Sequence, residues 1–260
     1  MKSKRKKRRW FLNLKWGFNM YLNIIGSSSR GNSYLLSSGK STIILECGVS
    51  ISEIKKALNY DLSSVCCCLV THEHQDHSKS IREIAAAGID IYASKGTLNA
   101  IKLSGHRYCH VEPKKRFTSG EFQIMPFDVK HDCAEPFGFL ISHHTGGCTI
   151  FVTDTYYIPY NFPGLNNIIV EVNYDEEILD TNNLPDVVKG RILRSHMEIS
   201  TFKHFLSNTD LSQVHNIIMI HLSDGNSDKK RFIKEIKELT GKSVYVASPG
   251  MNINISKTPF

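Results

Sequence analysis

In the six residues His72-Glu73-His74-Gln75-Asp76-His77, four side chains (His72, His74, Asp76 and His77) stand at metal-ligand spacing, and the segment follows the apolar run Val65–Val70 after Thr71 alone. This pairing constrains the chain more than any other feature. An apolar run of this length reads as a buried strand, and open α/β sheets carry their sites beyond the C-terminal ends of strands. On extended chain, side chains two apart point to the same side, so His72 and His74 share a direction. Asp76 and His77 follow where the chain turns into a helix expected to open at Ser78. Only 12 of the 260 residues are histidine, so three within six positions behind a buried strand read as a metal site rather than a polar loop.

The remaining ligand types stand where other apolar runs stop. His131 follows the run 124–130, Asp154 ends 149–153 and His221 ends 217–220. Each alone is an ordinary polar residue at a strand end; together with the cluster they read as ligands. Strands are expected at 21–26, 33–37, 41–46, 65–70, 89–93, 121–127, 136–142, 148–153, 167–172, 215–221 and 243–247. Helices are expected at 51–59, 78–87, 95–103, 185–193, 199–207 and 228–239, with Ser94 and Ser227-Asp228 as start signals. Thr145-Gly146-Gly147 reads as a hairpin turn.

The pattern H-x-H-x-D-H, a lone His, a lone Asp and a final His resembles the metallo-β-lactamase-fold hydrolases. The resemblance spans about residues 20–250. It implies an α/β fold, an αββα four-layer sandwich of two mixed β-sheets flanked by helices. It assigns His72, His74 and His131 to one divalent ion and Asp76, His77 and His221 to a second, with Asp154 bridging. Asp76 is counted among the catalytic residues as well. Zn²⁺ is favoured and Mn²⁺ is the alternative, because nitrogen and oxygen ligands suit both. Two such ions bring a bridging water near neutrality and clamp the attacking and leaving oxygens. The family usually has Asp in a Leu-x-Asp-x-Gly setting. Here Ile44-Leu45-Glu46-Cys47-Gly48 puts Glu46 in that place, where it is expected to orient a ligand histidine.

Within the superfamily, Ser195-His196-Met197-Glu198 looks like the histidine motif of the phosphodiesterase branches. That makes His196 the candidate general acid, positioned by Glu171. The turn Gly26-Ser27-Ser28-Ser29-Arg30-Gly31-Asn32-Ser33 offers Ser28, Ser29 and Asn32 as tentative phosphate contacts. These segments, with His131-Asp132-Cys133-Ala134-Glu135-Pro136 and Thr153-Asp154-Thr155, resemble the YycJ-like single-domain nuclease branch, associated with exonuclease activity on DNA. The resemblance implies a nucleic acid substrate, DNA favoured over RNA. The alternative on the same fold is a small-molecule hydrolase of cyclic phosphodiesters, thioesters or lactones. The other histidines, including the pair His143-His144 at a hairpin, are read as bystanders, that pair as exposed.

Composition narrows the setting. Apolar residues make up 41% and charged residues 22%, as in a globular chain. The net charge of +7 resides in residues 1–16, which hold eight basic and no acidic residues; the other 24 basic residues stand against 25 acidic ones. Residues 1–19 are therefore expected to be a basic, disordered head, with Met20 an alternative start, and 20–260 a single hydrolase domain. The apolar stretch 10–25 is interrupted by Lys15 and three asparagines, so it reads as neither signal peptide nor membrane span. Seven cysteines without a C-x-x-C pair fit a reducing, cytoplasmic compartment. The neutral body makes the metal cluster, not the basic head, the expected centre of the chemistry.

Overall fold

A computed structural model describes residues 19–258; the predicted basic head lies, but for Asn19, outside the described residues. The first half of the chain runs β1 (Tyr21–Gly26), β2 (Ser33–Ser37), β3 (Thr42–Leu45), α1 (Ile51–Ala57), β4 (Val65–Leu69), α2 (Gln75–Ser78), α3 (Ile81–Ala86), β5 (Ile91–Ala93), α4 (Lys95–Ala100) and β6 (Tyr108–His110). The second half runs β7 (Phe117–Ser119), β8 (Phe122–Asp128), β9 (Phe137–His143), β10 (Gly147–Val152), β11 (Leu165–Glu171), α5 (Glu176–Thr181), α6 (Asp186–Ser195), α7 (Ile199–Ser207), β12 (Asn216–Ile220), α8 (Lys229–Thr240), β13 (Ser243–Val246) and β14 (Asn252–Asn254).

The strands form two seven-stranded sheets, ordered β14-β1-β2-β3-β4-β5-β6 and β13-β12-β11-β10-β9-β8-β7. Both are mixed, as the αββα reading requires. In the first, β3, β4, β5 and β6 run parallel; in the second, β10, β11, β12 and β13 do. Parallel strands buried on both faces need continuous apolar sequence. Val65-Cys66-Cys67-Cys68-Leu69 and Asn216-Ile217-Ile218-Met219-Ile220 supply it.

Three apolar layers follow from that two-sided burial. The central one lies between the sheets and includes Leu22, Tyr34, Phe122, Phe139, Phe151 and Ile218. The outer two lie under the helices. One seats α1, α3 and α4 on the first sheet through Ile54, Ile84 and Leu98. The other seats α7 and α8 on the second through Phe202, Phe205, Phe232 and Ile236. Capping sets where helices begin: Ser50 and Glu53 close a capping box on α1, and Ser94 and Asp228 accept backbone amides of α4 and α8.

Three expectations are corrected. The helix predicted to open at Ser78 is preceded by α2, which begins at Gln75, so Asp76 and His77 are already helical. His143 is buried against Phe122 at 5.0 Å between ring centroids, because the last residue of β9 falls on the inner face of the strand. β6, β7, β14 and α5 were missed; three-residue strands are too short to show a period. α5 did carry a signal, Asp175 followed by Glu176 and Glu177.

Candidate metal centre

The parallel registers bring the site together. Leu45 pairs with Leu69 in the first sheet, which places Glu46 beside the start of the His72–His77 segment. In the second, Val152, Val170 and Met219 are in line, so Asp154, Glu171 and His221 emerge at one edge. The two edges face each other, and the ligand types of both sheets meet between them. Glu46, Asp154 and His221 all have positive φ, at 61°, 46° and 53°. The chain turns sharply as it leaves each strand, at a cost of about 1 kcal/mol per non-glycine residue, and strain of this kind gathers at functional sites.

One group comprises His72, His74, His131 and Asp154. Nε2 of His72 and Nε2 of His131 each lie 3.1 Å from Nδ1 of His74. Asp154 Oδ2 is 3.8 Å from His72 Nε2 and 3.6 Å from His131 Nε2. A second group comprises Asp76, His77 and His221. Asp76 Oδ2 is 3.4 Å from His77 Nε2 and 3.3 Å from His221 Nε2, and Asp154 Oδ1 is 3.4 Å from His77 Nε2. Asp154 thus presents one oxygen to each group. A tetrahedral site with bonds of about 2.0–2.1 Å has ligand atoms roughly 3.3 Å apart, and these separations match it.

The outward-facing ring nitrogens fit the same reading. Nδ1 of His131 donates to the carbonyl of Ser195 at 2.9 Å, which leaves Nε2 with its lone pair turned into the cluster. Nδ1 of His221 lies 2.8 Å from Glu171 Oε1, and Nδ1 of His72 pairs with the Thr71 hydroxyl at 2.9 Å. His77 Nδ1 faces Glu46 Oε2 at 3.5 Å without a hydrogen bond, and both atoms are buried. Outer partners of this kind fix the tautomer of a ligating histidine. With these rings unprotonated on the facing side, their lone pairs would meet at 3.1 Å, and a cation between them relieves that repulsion. The donor set therefore fits divalent metal.

Electrostatics divide the cluster. Burial pushes the pKa of His72 and His131 down, which keeps both rings neutral and able to ligate. Burial opposes charge on His77 and His221 as well, but the carboxylates around them outweigh it and raise both. Asp154 is fully buried, yet the facing histidines hold it well below the usual carboxylate range. A cation takes the place of such protons when it binds.

At the edge of the cluster, Nδ1 of His196 lies 2.6 Å from Glu171 Oε1, the same oxygen that meets His221. The His196 ring is 5.7 Å from that of His131 and 5.6 Å from that of His221. Burial disfavours its protonation, but the Glu171 carboxylate prevails and raises its pKa.

The Gly/Ser loop has another place than expected. Asn32 is fully buried, and its amide nitrogen lies 3.3 Å from the Asp76 carbonyl and 3.2 Å from His77 Nε2. Asn32 is therefore a brace under α2 rather than an open phosphate contact. Ser28 accepts from Asn32 and Gly31 through its carbonyl, and Ser29 is exposed. Ser27, which sequence reasoning passed over, accepts the backbone amide of His221 at 2.9 Å. Asn173 was missed too: its amide donates to Glu171 Oε1 and to the carbonyl of His221.

The family description "Beta-lactamase superfamily domain" matches residues 42–222, from β3 through the final cluster histidine. The chain belongs to the beta-lactamase superfamily. Among curated relatives, an exodeoxyribonuclease named YycJ from Bacillus anthracis is 26% identical over 229 residues, 81% of this chain and 85% of that protein. An exodeoxyribonuclease named WalJ from Streptococcus pneumoniae is 28% identical over 235 residues, covering 84% and 85%. Among solved structures, the metallo-beta-lactamase fold protein YhfI from Bacillus subtilis superposes with a TM-score of 0.70 at 16% identity, covering 91% of this chain and 99% of that one. The short form of human tRNase Z gives 0.60 at 14% identity, covering 91% and 99%. Superfamily membership and the His/Asp cluster make the chain a metal-dependent hydrolase.

Proposed function

We propose that this chain is a dinuclear metal-dependent phosphodiesterase that degrades DNA as an exonuclease. The observation that carries the reading is the Glu171–His196 pair at the edge of the cluster. A histidine with Nδ1 committed to a buried carboxylate has Nε2 left to hand a proton to a leaving oxygen, and its side chain is still 18% exposed. A thioester expels a thiolate, a better leaving group with less need of such a donor; a DNA alkoxide needs it. The two exodeoxyribonuclease relatives over more than four fifths of the chain support DNA as the substrate.

In this reading His72, His74 and His131 would hold one ion and Asp76, His77 and His221 the other, with Asp154 available to both. Zn²⁺ is favoured, with Mn²⁺ the alternative. Bound cations would activate water and neutralise the phosphate. The chain does the rest. Asp76, the most open carboxylate of the cluster at 23% side-chain exposure, orients the attacking water. Glu171 keeps the His196 ring in place, and Glu46 and Asn32 steady His77 from below. Ser28 and Ser29 remain as phosphate contacts at the loop tip, and Asn32 is withdrawn from that role. The seven unpaired cysteines suit action in the cytoplasm.

The test is an assay of metal-loaded protein against end-labelled single- and double-stranded DNA and RNA. Progressive loss of nucleotides from DNA ends is expected. Intact DNA and RNA alongside turnover of a small cyclic diester, thioester or lactone would instead make this a small-molecule hydrolase.

A further inference from the structure

Three chain segments that supply the cluster also supply a second feature. Lys130 precedes His131, Tyr156 lies two residues after Asp154, and Arg194 lies two residues before His196. These three residues, with Leu193, line a cleft of about 710 Å³ that includes His131 in its wall. That volume falls within the roughly 300–1,000 Å³ of ordinary ligand sites.

The cleft is held in a fixed relation to the cluster. The backbone amide of Lys130 donates to Thr155 Oγ1 at 3.0 Å, and the amide of Thr155 donates to Glu171 Oε2 at 3.1 Å. Tyr156 and Lys130 are therefore tied to the carboxylate that holds His196. Tyr156 is 43% exposed. Lys130 and Arg194 are exposed, and neither is in an ion pair among the described residues. The carboxylate of Asp132 at the cleft is met by Arg191 at 3.3 Å, which offsets its charge.

An exposed tyrosine that lines one cleft with two cations in no ion pair among the described residues is the chemistry that takes an unpaired base and its phosphates. Inside a duplex, a base stacked on both sides offers no face to such a tyrosine. We propose that this cleft binds the single-stranded DNA nucleotide next to the scissile bond, its base on Tyr156 and its phosphates on Lys130 and Arg194. The assignment rests on the DNA-cleaving reading above. It makes a single strand, or a frayed end, the form in which DNA enters the site.

The test is steady-state cleavage of decathymidylate by the full, metal-loaded chain over a range of salt. Tyr156→Ala should raise KM at least fivefold with kcat within twofold, and Tyr156→Phe should restore KM. Lys130→Ala and Arg194→Ala should each flatten the dependence of log(kcat/KM) on log salt by about 0.7, the value of one phosphate contact on a single strand. These side chains are exposed, so their removal leaves no cavity, and circular dichroism confirms the fold. Unchanged KM in Tyr156→Ala, or unchanged salt slopes in both cationic variants, would overturn the cleft assignment while leaving the nuclease reading standing. Failure of the unaltered protein to cut any DNA would remove both.

Discussion

Glu171 sets the chemistry of two histidines with one oxygen. Oε1 meets His196 at 2.6 Å and His221 at 2.8 Å, while Asn173 donates to the same atom at 3.2 Å. Burial works against charge on Glu171, but the facing rings hold its carboxyl below its ordinary value. His221 turns its other nitrogen towards Asp76, whereas His196 joins Asp154, Glu171 and His221 in a third group at the edge of the cluster and belongs to neither of the two that hold His72–His77. Their roles should separate accordingly. His196→Ala is expected to cost about 10²–10⁴-fold in kcat on DNA, the usual worth of a general acid, and much less on bis-p-nitrophenyl phosphate, whose leaving group needs no proton. Metal content measured beside the kinetics should stay unchanged. Equal losses on both substrates would count against the donor role.

At the scale of elements, the site depends on how closely α2 sits against the loop after β3. A Cβ at Gly48 would lie 1.7 Å from the carbonyl oxygen of Asp76 and 2.2 Å from its carbon. Backbone cannot yield that far without moving α2, and α2 carries Asp76 and His77. Gly48→Ala should therefore fold, by circular dichroism, but lose metal affinity by roughly 10–100-fold, the scale of losing an outer support. Metal content after dialysis against a weak chelator reads it. Full retention would show that α2 has slack the packing does not reveal.

The same elements show what the sequence could and could not reveal. His72, His74, Asp76, His77, His131, Asp154 and His221 were legible because each stands where an apolar run stops, and parallel strands end together. α2 was not legible, because a four-residue helix between metal-capable side chains has no apolar period to display. Asn32 and Ser27 were misjudged or passed over for a related reason. A Gly/Ser-rich turn reads as open and mobile, and only tertiary packing shows the amide of Asn32 and the hydroxyl of Ser27 committed inward. Glu46 was placed beside a ligand histidine by the resemblance, and the structure sets it 3.5 Å from His77. Tyr156 and Arg194 carry no sequence signal beyond their nearness to Asp154 and His196.

Across the whole molecule, the site lies between two sheets whose ligands come from opposite sides. Glu46 and the His72–His77 segment leave the first sheet; His131, Asp154, Glu171 and His221 leave the second. Bound cations would join the two halves at that edge. The net charge of +7 has no part in this centre, since its basic excess lies in residues 1–16. Removing residues 1–19 should flatten the salt dependence of DNA binding, in proportion to the number of phosphates the head neutralises. It should leave turnover of bis-p-nitrophenyl phosphate unchanged. A truncated chain that no longer turns over the small diester would make the head part of the catalytic body. No helix among the described residues is long and apolar enough to cross a membrane.

The central claim, that the convergent histidines and carboxylates form a dinuclear metal centre acting on DNA, is tested most directly by titrating metal-stripped protein with Zn²⁺ or Mn²⁺. Nucleotide release from end-labelled DNA would be followed throughout. The predicted result is no degradation without metal and a rise that levels off at two equivalents per chain. Full degradation after exhaustive chelation, or intact DNA at every loading, would contradict it.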